Sequence, residues 1–383
     1  MIDLLLESIE KNTSAKVAVN EPLRKHTTYG IGGPAEIMVF PTCKDELIEI
    51  VRIAKKMNQP VSTLGSGSNV LISDSGIRGV VISLKNTLKI IKVREKKMYA
   101  ECGAMLGKIV KQAVKHDLIG LENLNGVPGT LGGALVMNAG AWGGEISENL
   151  VKVELIDRNG DLKCLKKNEI NFSYRRSSFN KKDILLSAEF LLKKADKDII
   201  NKNFVEAQSG RKSTQPLNKR SAGSLFKNPN GNSAGKLLDE AGLKGFTIGD
   251  AKISDKHANF FVNEGSASSK DMLLLIKKAH QSVKDKFQIN LVAPSDGSEW
   301  QLNSDGVRTL ATEIYVEISS EFSCRYESVC NTVTVKQSIV FLHNETVEEE
   351  VDSTLLAHYE FEGNLEDSSS YGRDLELCSG SNQ

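Results

Sequence analysis

Residues 124–145 read LNGVPGTLGGALVMNAGAWGGE, dense in glycine, nearly free of charge, and filled between the glycines with Ala, Leu, Val and Met. A flexible linker is polar between its glycines, and this stretch is apolar. Gly126, Gly129, Gly132, Gly133 and Gly140 therefore mark places where backbone must come close to something else. The segment LGSGSNVLISD, Leu64 to Asp74, has the same character: a short apolar run, then Gly65, Ser66, Gly67, Ser68 and Asn69. Turns of this kind expose backbone N–H groups beside small hydroxyls, and such concavities bind phosphate. Two of them in one chain predict a ligand with a pyrophosphate and a long body.

The chain has 383 residues, enough for two or three domains with a real core. Lys+Arg and Asp+Glu both total 49, so bulk charge gives no case for nucleic acid or an acidic membrane surface. MIDLLLESIEKN carries acidic residues where a signal peptide needs basic ones, and no stretch approaches a membrane span in length. The cysteines at 43, 102, 164, 324, 330 and 378 form no CxxC pair and no Cys/His cluster with zinc spacing. Cys43, Cys102 and Cys164 read as buried small hydrophobes. The expectation is a cytoplasmic chain without a metal, a membrane partner or a nucleic-acid partner.

From Glu36 to about Val292, short strands alternate with amphipathic helices, which predicts an α+β fold. Residues 35–41 read as a strand, and Thr42 with Asp45 has the spacing of a cap for a helix over 44–57. TLKIIKV and KMYAEC pair across the charged turn at 95–97, and VKVELID pairs with LKCLK across Asn159-Gly160. Residues 105–116 carry apolar positions at helical spacing. DILLSAEFLL reads as a long strand, and Ser268 with Asp271 starts a last helix. Past Val292 the chain turns rich in Ser, Thr, Asn, Asp and Glu, with β-type runs and no convincing helix, so a boundary falls at about Ala293.

Three further segments stand out: NFSYRRSSF, RSAGSLFKNP and DAKISDKHANFFVN. Taken singly, a Tyr-Arg-Arg run is most often solvated charge, Ser224 a turn residue, and His257 a structural histidine. Leu225-Phe226 after Ser224 rules out a G-x-S-x-G elbow. The glycine loops lack the P-loop pattern, and Gly65-Ser66-Gly67 does not continue into a dinucleotide fingerprint.

Taken together, HTTYGIGGPAE, LGSGSNVLISD, ENLNGVPGTLGGALVMNAGAWGGE, YRRSSF, RSAGSLFKNP and KHANFFVN, in this order from about Pro22 to Val292, resemble the bacterial UDP-N-acetylenolpyruvoylglucosamine reductases, the MurB family of peptidoglycan precursor synthesis. The short spacing from YRRSSF to RSAGS resembles its compact subtype, which has no inserted capping loop. The resemblance implies a two-subdomain FAD-binding fold of the vanillyl-alcohol-oxidase (PCMH) type over 1–188. A smaller α+β substrate domain follows over 189–292. FAD would be reduced by NADPH, and a UDP-sugar enol ether would then take the hydride, in a chain acting as a monomer.

The resemblance also implies roles. Gly65, Ser66, Gly67, Ser68 and Asn69 would hold the FAD pyrophosphate. Gly126, Pro128, Gly129, Thr130, Gly132, Gly133, Asn138, Ala139 and Gly140 would line the rest of the flavin. Arg175 would stabilise the enolate formed beside the substrate carboxylate, Ser224 would give the proton, and Tyr174, Lys227 and Asn228 would contact the substrate. The family's third catalytic residue is a glutamate in a Leu-x-Pro-Glu-Val-like pattern. After FQINLV this chain reads Ala293-Pro294-Ser295, with Pro294 in the glutamate's place. The expected enzyme is impaired in proton transfer.

Within the tail, LLAHYEFEGNLEDSSSYGRDLEL resembles the opening of laminin-G/concanavalin-like sandwiches, which need well over a hundred residues. Residues 293–383 read either as the product of a misjoined sequence or as a genuine fusion with a truncated binding module. A flavin-binding but catalytically defective fusion with a carbohydrate-binding module is the alternative function.

Overall fold

The computed structural model describes residues 2–292, apart from Asn86 and Arg158, together with four backbone strand segments in the tail. The chain divides into two compact units, Met1–Ile314 and Tyr315–Gln383.

In the first unit, strands Lys16–Pro22, Pro34–Phe40, Ile77–Ser83 and Val61–Leu64 form one sheet in that order. The first pair is antiparallel and the other two are parallel. Central parallel strands bury both faces, and Ile77–Ser83 exposes only Arg78. Helices α1 (Ile2–Asn12) and α2 (Lys44–Lys56) supply Leu5, Ile9, Leu47 and Ile50 to a core shared with Ile37, Val39, Val80 and Ile82. Met38, Leu64, Ile72 and Val81 form a separate cluster.

The start of α2 departs from the expected spacing. Cys43 is the N-cap residue, so Glu46 rather than Asp45 is the third helical residue, the position from which a carboxylate reaches back. Glu46 accepts hydrogen bonds from the backbone N–H and hydroxyl of both Thr42 and Ser14.

The second sheet is antiparallel, ordered Leu162–Lys166, Leu150–Ile156, Ile184–Leu191, Lys97–Glu101 and Ile91–Arg94. Gly160 makes its turn at φ 83°, as Asn159-Gly160 predicts. Helices α3 (Leu106–Lys115) and α4 (Leu131–Val136) pack Leu106, Ile109, Val110, Leu131 and Leu135 with Met98, Val153 and Phe190. Leu124, Leu131, Ala134, Leu135 and Ala139 of the glycine segment are thus core, whereas Val136 and Trp142 are exposed. Of the three cysteines expected to be buried, only Cys102 is; its burial pushes the thiol pKa up. Cys43 is exposed at a helix start, and Cys164 is exposed on an edge strand.

Helix α5 (Lys197–Thr214) leads to a third sheet, antiparallel in the order Arg220–Ser224, Phe260–Asn263, Ala251–Ile253 and Thr247–Ile248. Helices α6 (Ala234–Glu240) and α7 (Ser269–Phe287) pack Leu237, Leu238, Met272, Leu275 and Ile276 with Phe226 and Phe261. Helix α7 begins at the predicted Ser268/Asp271 capping box. A further carboxylate joins it from the first sheet region: Asp74 accepts from Ser269 N (2.8 Å) and Ser269 Oγ (2.7 Å). The architecture is α+β, as expected.

In the tail, Ile318–Ser323, Thr332–Ile339 and His358–Glu360 form an antiparallel sheet with Thr332–Ile339 in the middle, in the region of β-type runs. Val307–Thr309 pairs antiparallel with Val70–Ile72. Pro294, Cys324, Cys330 and Cys378 lie outside the described residues.

These contacts are open to two tests. Asp74→Ala strands the N–H and hydroxyl of buried Ser269 and should cost about 1–3 kcal/mol in urea unfolding. Burial raises the Glu46 pKa, but the four donors outweigh it and hold the value at about 2, below the ordinary 4.5. Its stabilising effect is complete above pH 4.5 and is lost as pH falls toward 2. Glu46→Gln should remove that part of the acid dependence of the melting temperature.

Candidate active site

The Gly65–Asn69 turn joins strands Val61–Leu64 and Val70–Ile72. Gly67 has φ 64°, and a Cβ there would run into the backbone at His26 and Thr27. The N–H of Thr28 donates to the Gly67 carbonyl at 3.0 Å. A Cβ on Gly65 would sit 2.5 Å from Thr130 Oγ1, and one on Gly129 would sit 3.1 Å from Ser68 Oγ. The fold therefore brings the two glycine segments face to face, with Ser66, Ser68 and Thr130 between them. Ser66 donates to Ser68 at 3.2 Å. Gly132 lies against Cys102, whose carbonyl accepts its N–H at 2.9 Å. Gly133 departs from the expectation of close approach: a Cβ there would meet only Thr130 Oγ1, at an ordinary 3.8 Å.

Beyond α4, Asn138 is fully buried at φ 41°. Its Nδ2 donates to Glu145 (2.6 Å) and to the Ser173 carbonyl (3.0 Å), while its Oδ1 is buried without a partner among the described residues. Strands Gly140–Ala141 and Gly144–Glu145 then form a hairpin, with Trp142 at its tip. A Cβ on Gly210 of α5 would run into the Trp142 ring, so that glycine seats the indole.

The Tyr-Arg-Arg run lies on a second hairpin, Phe172–Ser173 with Arg176–Ser177, and Tyr174-Arg175 forms its turn. Arg175 adopts φ 56°, an uncommon left-handed conformation for a residue with a long side chain. Its Nη2 donates to the Gly140 carbonyl at 2.6 Å, and its guanidinium lies 4.9 Å from the Tyr174 ring centre. The turn thus fixes Arg175 on the glycine segment.

A second arginine, which no sequence motif marks, meets the other end of that segment. Arg211, in the last turn of α5, donates through Nη1 to the Gly126 carbonyl at 3.3 Å. Burial, and then the neighbouring Arg175 charge, push its pKa down. EAQSGRKSTQP surrounds it with ordinary helix and turn residues, so no local pattern gives it away.

Ser224 ends the strand Arg220–Ser224, where the pairing with Phe260–Asn263 slips between Ser221 and Ser224 and Gly223 has φ 81°. Such irregularities re-aim a side chain. Ser224 is exposed, and among the described residues its hydroxyl has no hydrogen-bond partner. Thr28 ties this strand to the Gly67 turn, its hydroxyl donating to the Ser221 carbonyl at 2.6 Å. KHANFFVN supplies support: Asn259 accepts from Phe226 N and donates to Phe226 O, both at 2.8 Å. His257 accepts from Asn259 N at 3.1 Å, and burial lowers its pKa, which fits the structural reading. Asn228 Oδ1 accepts from Ala234 N at 3.0 Å, so half of that side-chain amide serves the fold. The Lys227 N–H donates to the Val292 carbonyl at 2.7 Å.

A flavin dinucleotide suits what is present. The facing glycine turns leave backbone and hydroxyl donors with no Cβ to obstruct them.

Family matches cover both glycine segments and Ser224, Lys227 and Asn228. The family described as "UDP-N-acetylenolpyruvoylglucosamine reductase, C-terminal domain" matches residues 215–294, and "FAD binding domain" matches 35–165. A UDP-N-acetylenolpyruvoylglucosamine reductase of Caldanaerobacter subterraneus is 43% identical over 293 residues, covering 76% of this chain and 96% of the relative. The Bacillus subtilis protein of that name is 39% identical over 292 residues, with the same coverage. The crystal structure of the Thermus caldophilus reductase (MurB) superposes with a TM-score of 0.61 at 34% identity, over 72% of this chain and 97% of that one. With both segments of the site matched and the relatives covered over nearly their whole length, the chain belongs to the UDP-N-acetylenolpyruvoylglucosamine reductase family.

Proposed function

We propose that this chain reduces UDP-N-acetylglucosamine enolpyruvate to UDP-N-acetylmuramate for peptidoglycan synthesis, with NADPH as reductant, as a cytoplasmic monomer with no nucleic-acid or membrane partner. The observation that carries this reading is the meeting of two glycine turns with Arg175 pinned to one of them. Among the described residues, no helix is long and apolar enough to cross a membrane.

Residues 1–188 would form the FAD-binding region and 189–292 the substrate domain. Gly65, Ser66, Gly67, Ser68 and Asn69 would hold the FAD pyrophosphate. Gly126, Pro128, Gly129, Thr130, Gly132, Gly133, Asn138, Ala139 and Gly140 would line the remainder. Bound FAD supplies a hydride, taken from NADPH, to the outer alkene carbon of the substrate.

The rest is the work of side chains. Hydride addition leaves negative charge on the carbon beside the carboxylate, and that charge spreads into a dianionic enolate. Arg175 meets it with a planar, permanently charged fork, already oriented by Gly140. Ser224, with its hydroxyl uncommitted, gives the proton that quenches the carbanion. Tyr174, Lys227 and Asn228 hold the substrate, and Lys227 counters its diphosphate. With proline at 294, the enolate lacks the family's glutamate, and protonation is slowed.

The purified protein should be yellow, with an FAD spectrum, and should oxidise NADPH when the enolpyruvate substrate is added; a colourless protein would sink the reading. Arg175→Gln should lower kcat/KM by about 100- to 1,000-fold. Ser224→Ala should lower kcat by about 100- to 10,000-fold with FAD content unchanged. Pro294→Glu should raise kcat, and equal rates for the two proteins would refute the impairment.

A further inference from the structure

Arg211 and Arg175 grip opposite ends of one glycine segment, through the carbonyls of Gly126 and Gly140. Among the described residues neither forms an ion pair with a carboxylate. Arg175 lies close enough for its charge to disfavour that of Arg211, and arginine does not relieve such repulsion by losing its proton. Among the described residues, Arg211 Nε is buried without a hydrogen-bond partner. A buried, charged donor left unpaired is costly, and native structures rarely keep one without use. Two like charges, each anchored on a carbonyl and one keeping a spare donor, form a receptor for an anion with more than one acceptor oxygen.

The placement of Arg211 is not accidental to the helix. Gly210, its neighbour, seats the Trp142 ring from the hairpin that begins at Gly140, so the last turn of α5 is fastened to the segment that Arg175 holds. Trp142 is half-exposed and Gly210 admits no side chain, which marks the contact as a seat for the indole.

Resting on the function proposed above, we infer that Arg211 is a second carboxylate-binding arginine, which shares the substrate carboxylate with Arg175 and balances the dianionic enolate with a second positive charge. Two guanidinium groups match two negative charges. Arg175 alone would leave one uncompensated, and the residue at 294 in this chain is not ionisable.

The test is to titrate the FAD-loaded protein with two ligands, following flavin absorbance. One is UDP-N-acetylglucosamine enolpyruvate. The other is UDP-N-acetylglucosamine, which has the diphosphate but no carboxylate. Arg211→Gln should weaken binding of the first about 10- to 100-fold and leave the second within about twofold. Arg211→Lys keeps charge and helix propensity but loses the fork, and should weaken the first by about 3- to 10-fold; it decides the matter if the Gln variant fails to fold. Melting temperature and FAD content report folding. Equal weakening of both ligands would place Arg211 on the diphosphate and overturn the inference, as would unchanged binding of both. Failure of the unaltered FAD-loaded protein to bind either ligand would instead refute the function itself, and this inference with it.

Discussion

Backbone packed against backbone, where no side chain fits, is the constraint on which the site depends. The Gly67 turn closes onto the backbone at His26 and Thr27, and Gly65 closes onto Thr130. These approaches set the two glycine segments face to face, and Thr28 carries the relation on to the strand that ends at Ser224. A methyl group at Gly67 would separate the pieces before any ligand arrived. The facing turns are therefore a property of the folded chain itself, organised in advance, which is the condition under which polar donors are most effective.

Side-chain chemistry is then mounted on that frame by its carbonyls. Among the described residues, Arg175 and Arg211 are oriented by peptide oxygens of the glycine segment, not by acidic partners. A carboxylate counter-ion would have neutralised them. Carbonyl anchors orient a guanidinium and leave its charge available. The left-handed turn at Arg175 fits the same arrangement, since backbone strain is held where the surrounding contacts determine the conformation.

The glycine segments are legible in the sequence because a requirement for no Cβ leaves a signature in residue type. The Asn159-Gly160 hairpin and the Ser268/Asp271 cap are legible for a similar reason: a few residue types satisfy each local geometry. Other features are hidden. The start of α2 is obscured because Glu46, one residue past the expected partner, gathers its donors from Ser14 as well as Thr42. Cys164 reads as core in a strand-like run, but its strand is the sheet edge, a fact of topology. Arg211 is invisible because nothing near it in sequence is unusual; its meaning comes from Gly126 and Trp142, which only the fold brings near.

One backbone contact has consequences for inheritance. Lys227 and Val292 are joined peptide to peptide, so Val292 is held through its carbonyl, a group that every amino acid possesses. An attachment of that kind is indifferent to the residues beyond it. Side chains at and beyond 292 can then vary over generations while the stretch just past Ser224 keeps its place.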